Sequence, residues 1–454
     1  MSGEHRRGFL KKGAGAAIIA GGLFTATGVG SDDDVGIDLP DPELIPNPDT
    51  DEDWADSQAD AGNGRTVENG YEFDGERLEV AWAAEHYGGS GIAPAGMYGG
   101  GIAVADDTVY TAGEEGVAAI DDEDGSVRWK NGDVDAREPT VVDDTIYLSG
   151  DEVVALDRTD GSVRWETDLE PEDGFSPATV AYGGVYALGD GTLYALDPAD
   201  GTTTWRRDTV EHEDEHWETE EEFATYPAAA NGVVYASTNQ LTVALEPETG
   251  EAVWKERTGS HVPPGPTRAS ATMVAAGGGG YTDWGACDAQ TGERVGGGTG
   301  AVGAVSDEVC VIEQDDSVNV YDAESGERLW SLYTHGNSTI PTLSGDTAYI
   351  YFNTYNATVS SAYDGKLVAF DADDGTEKWV LSLEDERVGT ILAVSGETMY
   401  VYNNGEIVAL REDASDDEEE SGDDEGGEDE QDGDESDDED DGDEKDDGED
   451  DEDC

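Results

Sequence analysis

A turn glycine followed four residues later by tryptophan recurs along this chain, and no other feature restricts its fold so strongly. The pairs are Gly125–Trp129, Gly161–Trp165, Gly201–Trp205, Gly250–Trp254, Gly326–Trp330 and Gly375–Trp379. A seventh turn glycine, Gly292, has Gly296 at the tryptophan position, a decayed copy. Successive glycines lie 34 to 49 residues apart, the length of one supersecondary unit. A tyrosine keeps the same step at Tyr110, Tyr147, Tyr186, Tyr235, Tyr349 and Tyr400, with Cys310 in its place in the sixth unit.

Each unit reads as four short strands. Pro139–Val142 turns at Asp143-Asp144 into Thr145–Tyr147, Val153–Asp157 follows, and an Asp160-Gly161 turn leads into the Trp165 strand. Apolar residues alternate with period two and Asp/Gly turns separate them, the pattern of antiparallel hairpins. A lone four-stranded sheet of this size must stack on neighbours, and a ring of such sheets leaves only short protected edges. Seven units are whole. An eighth, Ile391–Val394 through Ile407–Leu410, stops before its tryptophan strand, which is supplied from the other end by Leu78–Trp82. The expectation is an all-β, eight-bladed β-propeller over residues 78–411, closed by the N-terminal strand at 78–82.

The unit Ala-Leu-Asp-x-x-(Thr/Asp)-Gly-x-x-x-Trp resembles the repeat of pyrroloquinoline-quinone-type eight-bladed propellers. The opener from Trp54 to Gly64 resembles the lead-in of exported prokaryotic members. The resemblance covers residues 54–411 and is specific for fold, because the repeated residues are structural. It implies that Trp82, Trp129, Trp165, Trp205, Trp254, Trp330 and Trp379 dock between adjacent blades. It also implies that Gly125, Gly161, Gly201, Gly250, Gly292, Gly326 and Gly375 complete turns, with a weaker blade contact at Gly296. The family has two branches. Quinoprotein dehydrogenases bind the quinone with calcium and oxidise alcohols or sugars; the alcohol enzymes carry an adjacent cysteine pair, absent here. Exported non-catalytic members, similar to the propeller lipoprotein of the β-barrel assembly machinery, present their loops to partner proteins. The second branch is the expectation, with no cofactor; a dehydrogenase using pyrroloquinoline quinone and calcium is the alternative.

Charge limits the partners. With 109 Asp and Glu against 23 Lys and Arg, the net charge is -86. No domain-sized part offers the basic footprint that nucleic acid requires, and anionic membrane surfaces are disfavoured likewise. Residues 412–454 hold 30 acids and one base, Lys445, without apolar pattern, and read as a disordered tail. Residues 31–411 still carry 78 acids against 18 bases, so the folded body itself is acidic. A body so charged repels itself in dilute salt, which points to a halophile, where molar salt cuts the Debye length to about 3 Å.

The N-terminus has the opposite sign. Arg6, Arg7, Phe9, Leu10 and Lys11 precede a Gly/Ala-rich apolar stretch, resembling a twin-arginine export signal over residues 1–30. Residues 31–77 read as an acidic, Pro-rich spacer and lead-in. The expected location is extracellular or at the cell surface, with no integral membrane anchor, as a monomer that binds envelope or cell-surface proteins.

Several local patterns have a chemical and a plain reading. His212-Glu213-Asp214-Glu215-His216 matches H-E-x-x-H, which holds zinc when a helix puts both histidines on one face. Here it lies in the long connection between Trp205 and Pro227 and reads as an acidic solvent loop, with His212 and His216 as weak metal candidates and no catalytic residue. Asp121–Gly125 and Asp371–Gly375 lack EF-hand spacing and read as hairpin turns. Asn337 and Asn356 begin N-x-S/T sequons, candidate glycosylation sites on an exported protein. Cys287 and Cys310 read as small buried hydrophobes, with a disulfide as the other option. A carbohydrate- or small-ligand-binding propeller, stacking sugars on Trp217, Trp284 or loop tyrosines, is the third functional reading.

Overall fold

Period-two strands joined by Asp/Gly turns become eight antiparallel blades, of which the first seven are each entered at the innermost strand and left at the outermost. The computed structural model describes residues 40–48, 54–88, 101–214, 217–259, 265–277, 283–314, 316–354 and 362–413. The first blade runs Ile102–Ala105, Thr108–Gly113, Gly116–Asp121 and Val127–Asn131, and the next six repeat that order. The eighth takes Thr390–Ser395, Thr398–Asn403 and Glu406–Glu412 from the C-terminal side and Leu78–Glu85 from the N-terminal side. Each inner strand packs on the inner strands of its two neighbours, and the eighth returns to the first, so the ring is closed. This is the eight-bladed propeller expected from the sequence.

The seven repeat tryptophans sit at the joints between blades. The Trp129 indole donates to the Arg158 carbonyl of the following blade at 3.0 Å, and Trp330 donates to Ala372 at 2.7 Å. Trp82, Trp165, Trp205 and Trp254 repeat that bond at 2.6 to 3.3 Å. The ring then lies flat on the next turn glycine: a Cβ on Gly161 would stand 2.5 Å from Trp129. That glycine also has φ +71, so space and backbone both select it. Within its own blade each indole but Trp330 leans on the hairpin tyrosine, as in Tyr147–Trp165 with centroids 6.0 Å apart; Trp330, whose blade has Cys310 there, meets Phe370 of the seventh blade instead.

Two joints are built differently. Trp379 meets the lead-in, donating to the Phe73 carbonyl at 2.6 Å, with its ring against Gly75. The eighth turn is therefore split between the termini: Asp74 N–H donates to Glu412, and Asp413 N–H donates to the Arg77 carbonyl at 2.9 Å. At the decayed joint Trp284, on the neighbouring strand Asp283–Asp288, lies over Gly296 and stacks on Tyr321 of the sixth blade at 5.3 Å. The turn glycine Gly326 closes directly on the Val295 carbonyl and the Gly296 backbone, where the other turn glycines meet an indole. Trp284 is 2% exposed, which removes it as a sugar-stacking surface.

The segment read as a spacer and lead-in packs on the ring from Trp54 onward. Residues 54–67 follow the inner strands around the channel mouth. Their carbonyls at Trp54, Ala55, Ala61, Gly62, Gly64 and Arg65 accept from Val104, Val141, Ala229, Ala269, Val305 and Leu343 in turn, at 2.7 to 3.0 Å. Those donors belong to blades one, two, four, five, six and seven. Ala61 packs on Ala181 of the third blade, and Arg65 reaches the Ile391 carbonyl of the eighth. So close an approach excludes a side chain at Gly62, whose Cβ would lie 2.3 Å from the Ala269 oxygen. A short strand, Thr66–Val67, ends the path in parallel pairing with Leu343–Ser344.

Candidate binding surfaces

The lead-in concentrates buried charge on the ring axis. Arg65 donates to the Pro341 carbonyl, to Thr342 Oγ1 at 2.8 Å and to the Ile391 carbonyl at 3.0 Å, and its guanidinium lies over Trp54. Arg268, from the inner strand of the fifth blade, donates to the carbonyls of Val302 and Asn63 and to the Gln58 side chain. Asn63 bridges the Pro227 and Thr267 carbonyls. Burial pulls Arg65 down to about 9 and Arg268 to about 10, with mutual repulsion adding to the first.

Three carboxyls share this region. Asp56 accepts from Thr140 Oγ1 and the Gln58 amide, yet burial pushes it up to about 7. Burial raises Glu138 as well, and lifts Glu313 to about 7 against the pull of Arg268 and Arg65. Glu138 Oε2 and Glu313 Oε1 are enclosed without a hydrogen-bond partner. None of this set was singled out from sequence. The available signal was a charge in an inner-strand motif, Arg137-Glu138-Pro139 and Thr267-Arg268-Ala269, and the run Gly62-Asn63-Gly64-Arg65.

Quinoprotein relatives of this fold imply pyrroloquinoline quinone with calcium, and the axial residues do not fit that pair. A tricarboxylate requires cationic donors. Both axial guanidiniums are engaged by this chain's own carbonyls, and the enclosed oxygens of Glu138 and Glu313 would face the added anion. Among the described residues, no group of three or more His, Cys, Asp or Glu is placed to hold a metal ion.

The opposite end of the ring carries the connections that lead into the inner strands. One of them corrects the sequence reading. The segment read as an acidic solvent loop is a β-hairpin, Val210–Asp214 paired with Trp217–Glu221. Extended backbone advances about 3.3 Å per residue and does not bring i and i+4 together as a helix does. His212 instead sits across from Thr219, with Nε2 2.9 Å from Glu221 Oε1, and Thr238 Oγ1 donates to the other Glu221 oxygen at 2.6 Å. Val210 and Phe223 anchor the base in the core formed with the fourth blade. His216 lies outside the described residues, as do Arg6, Arg7, Phe9, Leu10, Lys11 and Asn356.

The remaining sequence candidates fall as follows. Asn337 is buried, its amide donating to Asp364 at 3.0 Å, a placement that leaves no room for a glycan. Cys287 and Cys310 are buried free thiols, both pushed up to about 12 by burial. In the Asp121–Gly125 turn, Asp121 and Asp124 accept the backbone amides of Glu123 and Ser126, and Asp122 accepts from Tyr400 and Arg411 of the eighth blade. Among the described residues, no helix is long and apolar enough to cross a membrane.

Comparison with known proteins gives a consistent picture. The family model described as outer membrane protein assembly factor BamB matches residues 71–152, 117–216, 190–295 and 279–431. No curated protein sequence matches the chain. Among solved structures, BamB from Moraxella catarrhalis aligns with a TM-score of 0.54 and 17% identity, over 74% of this chain and 98% of that one. The quinohemoprotein alcohol dehydrogenase ADHIIG from Pseudomonas putida HK5 aligns at 0.56 with 13% identity, covering 83% of each chain. The quinohemoprotein alcohol dehydrogenase of Comamonas testosteroni aligns at 0.53 with 12% identity, over 79% of this chain and 80% of that one. At such identities these likenesses are ones of fold.

Proposed function

From the premise that the chain belongs to the family described as outer membrane protein assembly factor BamB, we propose that this ring works without a catalytic centre. On this reading it is a protein-binding platform, exported by the twin-arginine route to the cell surface of a halophile. The observation that carries the reading is the lead-in. Residues 54–67 occupy the channel mouth, and the axial arginines are satisfied by the chain itself, so the axis supports the ring. Function then falls to the surfaces around it: the connections at one end, with their acidic hairpin, and the lead-in face at the other. The acidic body and the basic, apolar N-terminus support the setting in brine and the export route.

Crosslinking followed by pull-down from envelope fractions in molar salt tests the proposal, with recovery of a stable protein partner as the expected result. Failure to recover any partner, together with oxidation of alcohols or sugars by the purified protein given quinone and calcium, would overturn it in favour of the dehydrogenase reading.

A further inference from the structure

In a chain this acidic, exposed aliphatic side chains are the anomaly. Leu44 and Ile45 stand side by side, 53% and 63% exposed, in the segment Pro40–Pro48. That segment is strapped to the lead-in end of the ring. Asp41 N–H donates to the Asn231 carbonyl at 2.8 Å, Asn47 Nδ2 to the Val180 carbonyl at 2.7 Å, and Tyr182 N–H to the Pro46 carbonyl at 3.0 Å. Prolines at 42 and 46 restrict the backbone between these ties. These ties fix the pair in place, with Leu44 resting on Gly232 and both side chains more than half exposed.

Leu44, Ile45 and the two prolines form one wall of a cleft of about 180 Å³, room for one or two side chains. The facing wall carries Asp60, Glu68 and Asp307, all exposed, and no basic residue lines the cleft. Asp60 accepts the Gly62 amide, Glu68 the Asp307 amide and Asp307 the Ala271 amide, which fixes the three carboxylates in place. Loss of hydration followed by repulsion from acidic neighbours raises the carboxyl of Glu68. An incoming cation relieves that repulsion.

We propose that this cleft is the docking site for a partner protein segment in which an aliphatic or aromatic side chain neighbours a lysine or arginine. The apolar residue seats against Leu44 and Ile45, and the cation meets Asp60, Glu68 and Asp307. An apolar anchor ringed by complementary charge is the usual composition of an interaction hot spot. The surface rests on the binding-platform reading and gives it a site and a partner chemistry.

The test uses the full chain in fixed molar salt and two fluorescein-labelled decapeptides of equal charge, one alternating leucine with arginine, the other serine with arginine. Anisotropy is expected to show at least tenfold tighter binding of the leucine peptide. The Leu44→Ser/Ile45→Ser pair should reduce that preference below threefold, and Glu68→Gln/Asp307→Asn should weaken both peptides. Val380→Ser, on an outer strand, should change neither, and thermal melts check that each variant folds. Equal binding of the two peptides, or an unchanged preference in the Leu44/Ile45 variant, overturns the proposal. So does finding that the pair of substitutions abolishes self-association or vesicle binding with no effect on peptide. An envelope partner recovered undiminished by the Leu44/Ile45 variant refutes this surface while leaving the platform reading intact.

Discussion

Glu313 gives the axis a measurable pH dependence. Its carboxyl is enclosed beside Arg268 and Arg65 but stays near 7 because burial outweighs their attraction. In the unfolded chain it titrates near 4.3. The folded state therefore binds the proton more tightly, and stability is lost as pH rises between these two values, the reverse of a salt-bridged carboxylate. A difference of two to three pH units corresponds to roughly 3 kcal/mol, fully expressed above pH 7. Glu313→Gln keeps the shape and removes the titration. Urea unfolding followed by tryptophan fluorescence, at one fixed salt concentration, should show near-equal stability of the two proteins at pH 4. By pH 8 the variant should lead by about 1 M in midpoint, taking a slope of about 3 kcal/mol/M. The same substitution at the surface would shift nothing by more than about 0.5 kcal/mol at either pH. A midpoint difference that is independent of pH, or a variant weaker at pH 8, would show that the arginines hold Glu313 ionised and that the axial charge is balanced.

Three further outcomes are expected. Gly75→Ala places a Cβ 2.4 Å from the Trp379 ring, so it should cost about 1–3 kcal/mol, read as a lower melting temperature and increased proteolysis at the seam between the seventh and eighth blades. Trp284→Ala should cost about 3–5 kcal/mol, as much as Trp129→Ala, if its ring supports the joint between the fifth and sixth blades; a loss below about 1 kcal/mol would mean that the joint is weak as the repeat alone suggests. Lowering salt from molar to millimolar should unfold the ring, followed by circular dichroism, with nearly the same salt midpoint after deletion of residues 414–454; a midpoint that moves with the tail would place the relevant charge there.

What was legible in the sequence, and what was not, follows from how each feature is encoded. A repeated unit writes its geometry many times, so the Gly–Trp step gave strands, turns, blade count and the closing strand Leu78–Trp82 with little ambiguity. Residues that act once, by crossing the ring, leave no such record. Arg65 hydrogen-bonds a carbonyl 326 positions away, and the single run Gly62-Asn63-Gly64-Arg65 has no repeat copy to compare it with. Gly75 serves as the eighth turn glycine only because the chain ends meet, and its Asp-Gly pair was visible but lay outside the period. The hairpin at 210–221 was obscured by composition, since glutamates dominate both strands, while Val210, His212, Glu221 and Phe223 are the described side chains that turn toward the ring. The fifth joint is the clearest case. Reading position 296 as a lost tryptophan treats the repeat as a list of identities, whereas the joint requires a volume filled between two sheets. Trp284 packs there from the adjacent strand against Tyr321 while Gly326 closes on the Val295 carbonyl, so the decayed copy in the sequence is a joint built by other means. The same reasoning applies to the axis: the repeat specifies the ring, and the single-copy residues 54–67 specify what the ring encloses.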